Sequence, residues 1–563
     1  MQINIDKLGY RWKGQYSPTG TYIENDVVYY NSGTYRIDAS GNLVAFALGQ
    51  QDVTSKGHLL TGGASVGGTN SQLLHSKLNS GIEFRHTDER NGTYVKRLMS
   101  SGNNSPHRGQ YLGTFYDTPM VIMSDGTVRQ WGRRNNDGRH GTGVYGQNSN
   151  TFRPAMLPFP KGVVIDKLYG NATLKIAIDT NGHSWSWGAY DGTDTNTSGA
   201  SNQQTPKRMY DVLPELQNEK IVDVHCGYGW YGHGQILMLT ESGKVYGWGQ
   251  NNYGQLGDGT TNFVYTVKRI GEELGTIKRM FTQPATYGWT VLQTEDDTLW
   301  TTGNHSNYGL QPTGTTFQKV TMLNSVGSPV IDITSNIHDG HWVAGSQYYN
   351  TLMILHQNGN VTNLTASGLN QVGWGSQGQN GYTVVPNDPI ETGSAEIIAM
   401  NGGYGRIISR RTDGTIWHRG YSGFSISPTG TNTSTWNQYR DYNNQPITNV
   451  TKINHLGGHY GSHLSALTSD GILYCWGATS NGSDGAGYGS SYNNATTPNG
   501  LAPVKIPEKI IDYDVGGYSS SGTGYFTVLA LTESNTLYAF GINNYYASND
   551  FNGHRWTPKR VQF

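Results

Sequence analysis

Residues 237–260 read LMLTESGKVYGWGQNNYGQLGDGT. An apolar run ends at Ser242-Gly243, a strand-like stretch carries Val245, Tyr246 and Trp248, and a polar tail follows with Gly at short intervals. Two β-prone runs around a Gly-containing turn read as a β-hairpin. The wording recurs. Eight turns align, at Asp125-Gly126, Asn181-Gly182, Ser242-Gly243, Asp296-Asp297, Asn358-Gly359, Asp413-Gly414, Asp470-Gly471 and Ser534-Asn535. Five are Asp-Gly or Asn-Gly. Asp297 and Asn535 replace Gly in two, and these residue types tolerate positive φ better than most.

Positions after the turn agree as well. Six residues beyond its second position stand Gly132, Gly188, Gly249, Gly303, Gly420, Gly477 and Gly541, with Thr365 the exception. Trp131, Trp187, Trp248 and Trp476 directly precede four of these glycines. The strand before the turn is nearly all apolar, as in ILMLT at 236–240 and VLALT at 528–532, which suits a strand covered on both faces. Turn-to-turn spacing is 54 to 64 residues. A further strand-like stretch lies upstream of most hairpins (KIVDVHCGYG, 220–229) and a Pro-marked or basic one downstream (TPKRM, 205–209). That makes about four strands per unit. The expected fold is all-β, a propeller of seven or eight four-stranded blades, because one such unit cannot bury both of its faces but a ring of units can. The repeated Trp and Gly read as packing and backbone residues of this scaffold.

The run at 237–259 resembles the propeller repeat of the regulator of chromosome condensation family, and GGHYGSHLSALTSDGILYCWG at 457–477 is a second good copy, with His463 at the family's His position. The resemblance covers roughly 110–563. It implies a propeller, commonly of seven blades, where eight hairpins are counted here. The exchange activity of the founding member depends on surface loops, so the repeat does not imply it.

Ahead of the repeats, WKGQYSPTGTYIENDVVYYNSGTYRI at 12–37 crowds Trp12, Tyr30 and Tyr35 into a short stretch. It resembles the small chitin-binding module found on chitinases, with Asn25 where that family carries Gly. Two readings stay open. The rings stack on a sugar, or they form the core of a module too small for any other. The expected organisation is a small β module at 1–47 for attachment or sugar binding, a Gly/Ser/Thr-rich connector at 48–80, and the propeller at 81–563.

Composition narrows the function. Lys+Arg is 39 against 40 Asp+Glu, a net charge of -1, and charged residues are only 14%. That argues against a general electrostatic grip on nucleic acid. No apolar run is long enough to span a membrane, and the first residues lack a secretory apolar core. The two cysteines, Cys226 and Cys475, sit at different repeat positions and predict neither a disulfide nor a zinc site. Metalloprotease, nucleophile-elbow and phosphate-loop motifs are absent from the sequence. DGTDTN at 191–196 starts like a calcium loop but lacks its remaining ligands, and reads as a polar turn. No catalytic residue, metal or cofactor is expected.

Aromatic loops at 226–234 and 283–289 supply Tyr228, Trp230 and Trp289 as candidate contacts for a glycan or protein, alongside Trp12, Tyr30 and Tyr35. Low charge, Asn/Gly/Tyr richness and no export signal lead to a non-enzymatic virion protein of a bacterial virus. It would be a tail fibre or receptor-contacting appendage made in the host cytoplasm. The N-terminal module would join it to other virion proteins, the propeller would face a host glycan or protein, and homo-oligomers would follow the attachment symmetry. The alternatives are a capsid-attached decoration or head fibre protein, and a cellular protein-interaction propeller or exchange factor-like protein.

Overall fold

Eight antiparallel sheets follow one another along the chain in a computed structural model, each built from consecutive strands. The structure describes four strands within 11–45 and, from 87 to 561, the strands of every blade, all eight hairpin turns and part of the loops between strands. The blades span 87–156, 165–208, 221–270, 277–319, 330–384, 394–438, 450–503 and 510–560, and are numbered 1 to 8. Each has four strands in sequential order, and blade 1 adds a two-residue strand, Thr87–Asp88. Among the described residues, helix is confined to three short 3-10 turns, such as Met209–Asp211. The fold is an eight-bladed β-propeller.

Each predicted turn is a hairpin turn, and its geometry repeats. In blade 3 the amide of Gly243 donates to the carbonyl of Thr240 at 3.0 Å, and the Thr240 amide donates to the carbonyl of Lys244 at 2.9 Å. The loop is therefore a type I turn closed by one left-handed residue, rather than a two-residue turn with two such residues. That left-handed position is filled in all eight blades: Gly126, Gly182, Gly243, Gly359, Gly414 and Gly471 at φ 76 to 88, Asp297 at 67 and Asn535 at 62. The two residues that replace Gly thus adopt the conformation expected of them.

The Gly after the third strand answers to a different constraint. Gly132, Gly188, Gly249, Gly303 and Gly541 have φ between 93 and 108. A Cβ on Gly249 would lie 2.2 Å from the carbonyl oxygen of Gly234, and one on Gly188 would lie 2.0 Å from that of Thr173. Pairing with the outer strand slips at this Gly in blades 1, 2, 3, 4, 6 and 8, which bends the outer strand. Blade 5 has Thr365 there, and its ladder runs without a slip.

A second irregularity recurs in all eight first strands. One extra residue is inserted near the start, at 96, 166, 222, 278, 331, 395, 451 and 511. The next residue is charged every time: Arg97, Lys167, Asp223, Arg279, Asp332, Glu396, Lys452 and Asp512. Four cations reach forward to the next blade. Arg97 Nη1 donates to Asp166 Oδ1 at 2.5 Å, Lys167 Nζ to the Val222 carbonyl at 3.3 Å, and Arg279 Nη1 to the Val330 carbonyl at 3.0 Å. Lys452 Nζ donates to Asp512 Oδ1 at 2.7 Å.

The apolar cores lie in the seams between blades. The second and third strands of blade 3, Gln235–Thr240 and Val245–Gly249, are buried at every residue, whereas its outer strand Val264–Ile270 is mostly half-buried. One cluster joins Tyr169 and Ile176 of blade 2 to Met238 and Trp248 of blade 3. Another joins Leu529, Leu537 and Val561 of blade 8 to Val95 and Met120 of blade 1, closing the ring with no strand exchanged among the described residues.

The N-terminal segment forms its own four-stranded sheet from Arg11–Gln15, Asp26–Tyr30, Gly33–Ile37 and Leu43–Ala45. Trp12, Tyr30 and Tyr35 lie on its first three strands; the backbone is described there and the side chains are not. The expected connector at 48–80 lies outside the described residues.

Candidate interaction site

In a sequential antiparallel blade, the first-to-second and third-to-fourth connections leave from one end. The hairpin turns leave from the other. The Gly-rich tail of the repeat, a third-to-fourth connection, therefore lies on the face opposite the hairpin turns, here called the loop face.

Much of the Gly-rich tail is a clasp between blades. In blade 3, Gly254 lies against Thr315 and Gly257 against the Phe317 ring of blade 4, where a Cβ would come within 2.6 and 2.3 Å. Thr302 Oγ1 donates to the Gly254 carbonyl at 2.8 Å and Thr290 Oγ1 to that of Gln255 at 2.7 Å. Buried Asn251 holds the loop shut, donating to Asp258 Oδ1 at 3.0 Å and accepting from the Leu256 amide at 2.8 Å. Lys268 Nζ meets Asp258 Oδ2 at 2.5 Å. Burial raises the Asp258 pKa, but its bonds to Lys268, Thr260 and Asn251 outweigh that and hold it below the ordinary carboxylate value.

The repeated tryptophans anchor this arrangement. Trp131, Trp187 and Trp248 are wholly buried. A Cβ on Gly192 would meet the Trp248 ring at 2.7 Å, and one on Gly141 would meet the Trp187 indole nitrogen at 2.5 Å, so each ring lies under the loop of the preceding blade. Gly420, Trp476 and Gly477 occupy the same third-strand positions, with Gly477 paired to His463.

Trp289 is corrected by the structure. It was expected among the loop contacts, yet it has 0% exposure. It stands on the second strand of blade 4 opposite Gly303 and packs with Val330 and Ile333 of blade 5. Blade 4 has Thr302 where other blades place Trp, and an indole fills the core from the neighbouring strand instead. Tyr228 and Trp230 lie outside the described residues.

What the loop face does present is an aromatic trio that sequence reading missed. Tyr190 follows the third strand of blade 2, and Phe263 and Tyr265 lie at the start of the outer strand of blade 3. All three are half-buried. Ring centroids are 5.1 Å apart for Tyr190–Phe263, 4.6 Å for Phe263–Tyr265 and 6.3 Å for Tyr190–Tyr265. Tyr190 has φ 55, a conformation bulky residues rarely hold. Its carbonyl accepts a 3.0 Å bond from Trp248 Nε1, and the next segment docks on blade 3 through Val267 N–H to the Gly192 carbonyl at 2.9 Å. Burial, then the neighbouring Tyr265, raises the Tyr190 phenol pKa. The only sequence signal was Tyr190 in place of a more permissive residue, and the two outer-strand aromatics gave none.

Other candidate chemistry resolves into structure. Both carboxylate oxygens of Asp191 accept from Thr193, at 3.2 Å from its amide and 2.6 Å from its hydroxyl, which is the expected polar turn. Cys226 and Cys475 are free thiols, and burial pushes Cys226 up to about 12, with Lys175 pulling the other way. Among the described residues, no group of three or more His, Cys, Asp or Glu is placed to hold a metal ion.

Residues 242–269 match the family model described as Regulator of chromosome condensation (RCC1) repeat. The human E3 ubiquitin-protein ligase HERC2 is 31% identical over 146 residues, which is 26% of this chain and 3% of that relative's length. The Ultraviolet-B receptor UVR8 of Arabidopsis thaliana is 24% identical over 382 residues, covering 65% of this chain and 76% of that protein. The crystal structure of human WBSCR16 is 16% identical with a TM-score of 0.46, covering 72% of this chain and 100% of that one. The repeat at 242–269 is thus RCC1-like, and the fold it belongs to is an eight-bladed β-propeller.

Proposed function

We propose that the chain is a non-enzymatic protein-interaction propeller that holds its partner on the loop face, at the seam of blades 2 and 3. The trio of Tyr190, Phe263 and Tyr265 carries this reading. A buried indole from one blade pins the backbone of another so that Tyr190, in a strained conformation, meets two more half-exposed rings. Strain of this kind costs about 1–3 kcal/mol and concentrates where a side chain must be held in place for function. Grouped aromatics with polar edges are common anchors at protein interfaces.

Relatives from Homo sapiens and Arabidopsis thaliana support the cellular interaction reading over the virion appendage, which rests on composition. Nucleotide exchange is not carried over, because a repeat specifies the scaffold and loops specify the activity. Affinity capture from the source cells with the wild type and with Tyr190→Ala/Phe263→Ala/Tyr265→Ala tests the proposal. Proteins held by the wild type should be lost by the triple variant while its melting transition persists, and unchanged capture would sink the idea. The rival reading places the chain on a virion, attached through the N-terminal module and facing a host glycan or protein. Antibody labelling of purified particles decides that point.

A further inference from the structure

We propose that Asp258 is a positioning residue for the aromatic trio, holding Phe263 and Tyr265 where Tyr190 meets them. This rests on the reading of the trio as the partner site. Asp258 stands in the clasp of blade 3, and its two carboxylate oxygens serve different segments. Oδ1 accepts from the Thr260 amide and from the Thr260 hydroxyl, both at 2.9 Å. The same hydroxyl oxygen accepts from the Asn262 amide at 3.4 Å, and Phe263 is the next residue. Oδ2 meets Lys268 Nζ at 2.5 Å, three residues beyond Tyr265 on the outer strand. Both rings that blade 3 contributes are thus referred to one carboxylate.

The intervening residues do not hold that geometry by burial. Gly259, Thr260, Thr261 and Asn262 are all exposed. An exposed polar tip with Gly at its base samples many conformations unless side chains tie it down. The ties to Asp258 are charge-assisted, the stronger class of hydrogen bond. Asn251 adds a neutral one, from Nδ2 to the Thr260 carbonyl at 3.1 Å. Blade 2 sets the Tyr190 end separately: Thr193 bridges to Thr266, and the Val267 amide donates to the Gly192 carbonyl. A site built from loop side chains keeps its geometry only when the residues beneath it are locked. Asp258 also touches blade 4, where it bridges to Thr316 and the Gly259 amide donates to the Thr315 carbonyl at 2.8 Å. A role confined to the seam of blades 3 and 4 is therefore the rival to exclude.

Nitration of the full chain by tetranitromethane, read tyrosine by tyrosine by mass spectrometry, separates the two. Asp258→Asn should raise the rates of Tyr190 and Tyr265 severalfold and leave that of Tyr210, half-buried in the connection from blade 2 to blade 3, unchanged. Thr302→Val loosens the same seam by removing the donor to the Gly254 carbonyl, and should leave both trio tyrosines at the wild-type rate. In a Phe263→Ala background, Asp258→Asn should have no further effect on Tyr190. Trio rates unchanged by Asp258→Asn, or raised equally by Thr302→Val, overturn the proposal. These rates report geometry whether or not a partner binds, and capture reports function. Where the triple alanine variant loses its captured proteins, Asp258→Asn should weaken their capture and Thr302→Val should not. Capture retained by Asp258→Asn overturns the positioning role, whereas capture retained by the triple variant overturns the trio as the partner site.

Discussion

Trp248 Nε1 of blade 3 donates a 3.0 Å hydrogen bond to the carbonyl of Tyr190 in blade 2. A repeated scaffold residue of one blade thus shapes the candidate contact residue of its neighbour. Trp248→Phe keeps an aromatic ring but removes the donor and leaves that carbonyl without its indole partner. A loss of about 1–2 kcal/mol is expected, read as a lower urea midpoint. Partner capture should weaken with it, because Tyr190 is no longer pinned.

The two repeated glycines should respond differently to substitution. At Gly249 a side chain meets a carbonyl oxygen at 2.2 Å and φ is 94. Gly249→Ala should cost roughly 3 kcal/mol or more, combining backbone strain with a clash that cannot relax. Gly243→Asn should cost less, about 1 kcal/mol, because Asn535 already occupies the equivalent turn position at φ 62. Equal losses in thermal melting would contradict this reading.

The forward-reaching cations predict which seams hold best. Lys452 spans blades 7 and 8, bonding Asp512 at 2.7 Å and the Tyr513 carbonyl at 2.6 Å. Lys452→Met removes the ammonium that Asp512, only 18% exposed at its side chain, meets at 2.7 Å. We expect a loss of about 2–3 kcal/mol and faster amide exchange concentrated in blades 7 and 8. Uniform exchange across the ring would show that the strap is not local.

Acid should loosen the clasp. The Asp258 pKa is held below its ordinary value in the folded chain, since its bonds to Lys268, Thr260 and Asn251 outweigh the opposing effect of burial. Its contribution is therefore present above the unfolded carboxylate pKa of about 3.9 and is lost as pH falls through the lower folded value. Asp258→Asn should be less stable than the wild type at neutral pH, and the gap should begin to narrow as pH falls below about 4. Denaturant midpoints measured from about pH 3 to 7 check this, and a gap as wide at the acid end as at neutral pH would exclude it.

Much of the scaffold was legible because it is local. Ser242-Gly243, Asp296-Asp297 and Ser534-Asn535 sit at turns whose left-handed residue can be named from the chain alone. Gly249 and its equivalents mark a backbone approach within one hairpin, so their spacing betrays them. Thr365 announced an exception, and in the blade without that Gly the outer ladder runs unbent through that position. The charged residue after each bulge was also in the sequence, but its partners, such as Val222 for Lys167, belong to another blade.

The sequence by itself determined the hairpins, the blade repeat and a count of eight turns, since each depends on residues a few positions apart. It left open whether seven or eight units close the ring. Packing of Leu529 and Val561 against Val95 decides that, because closure joins opposite ends of the propeller. Tertiary structure also decided which aromatics face outward. Trp289 is buried because blade 5 covers it, and Tyr190, Phe263 and Tyr265 meet because two blades converge. Burial in a propeller is set by the neighbouring blade, and the identity of that neighbour's facing residues lies about sixty positions away in the chain.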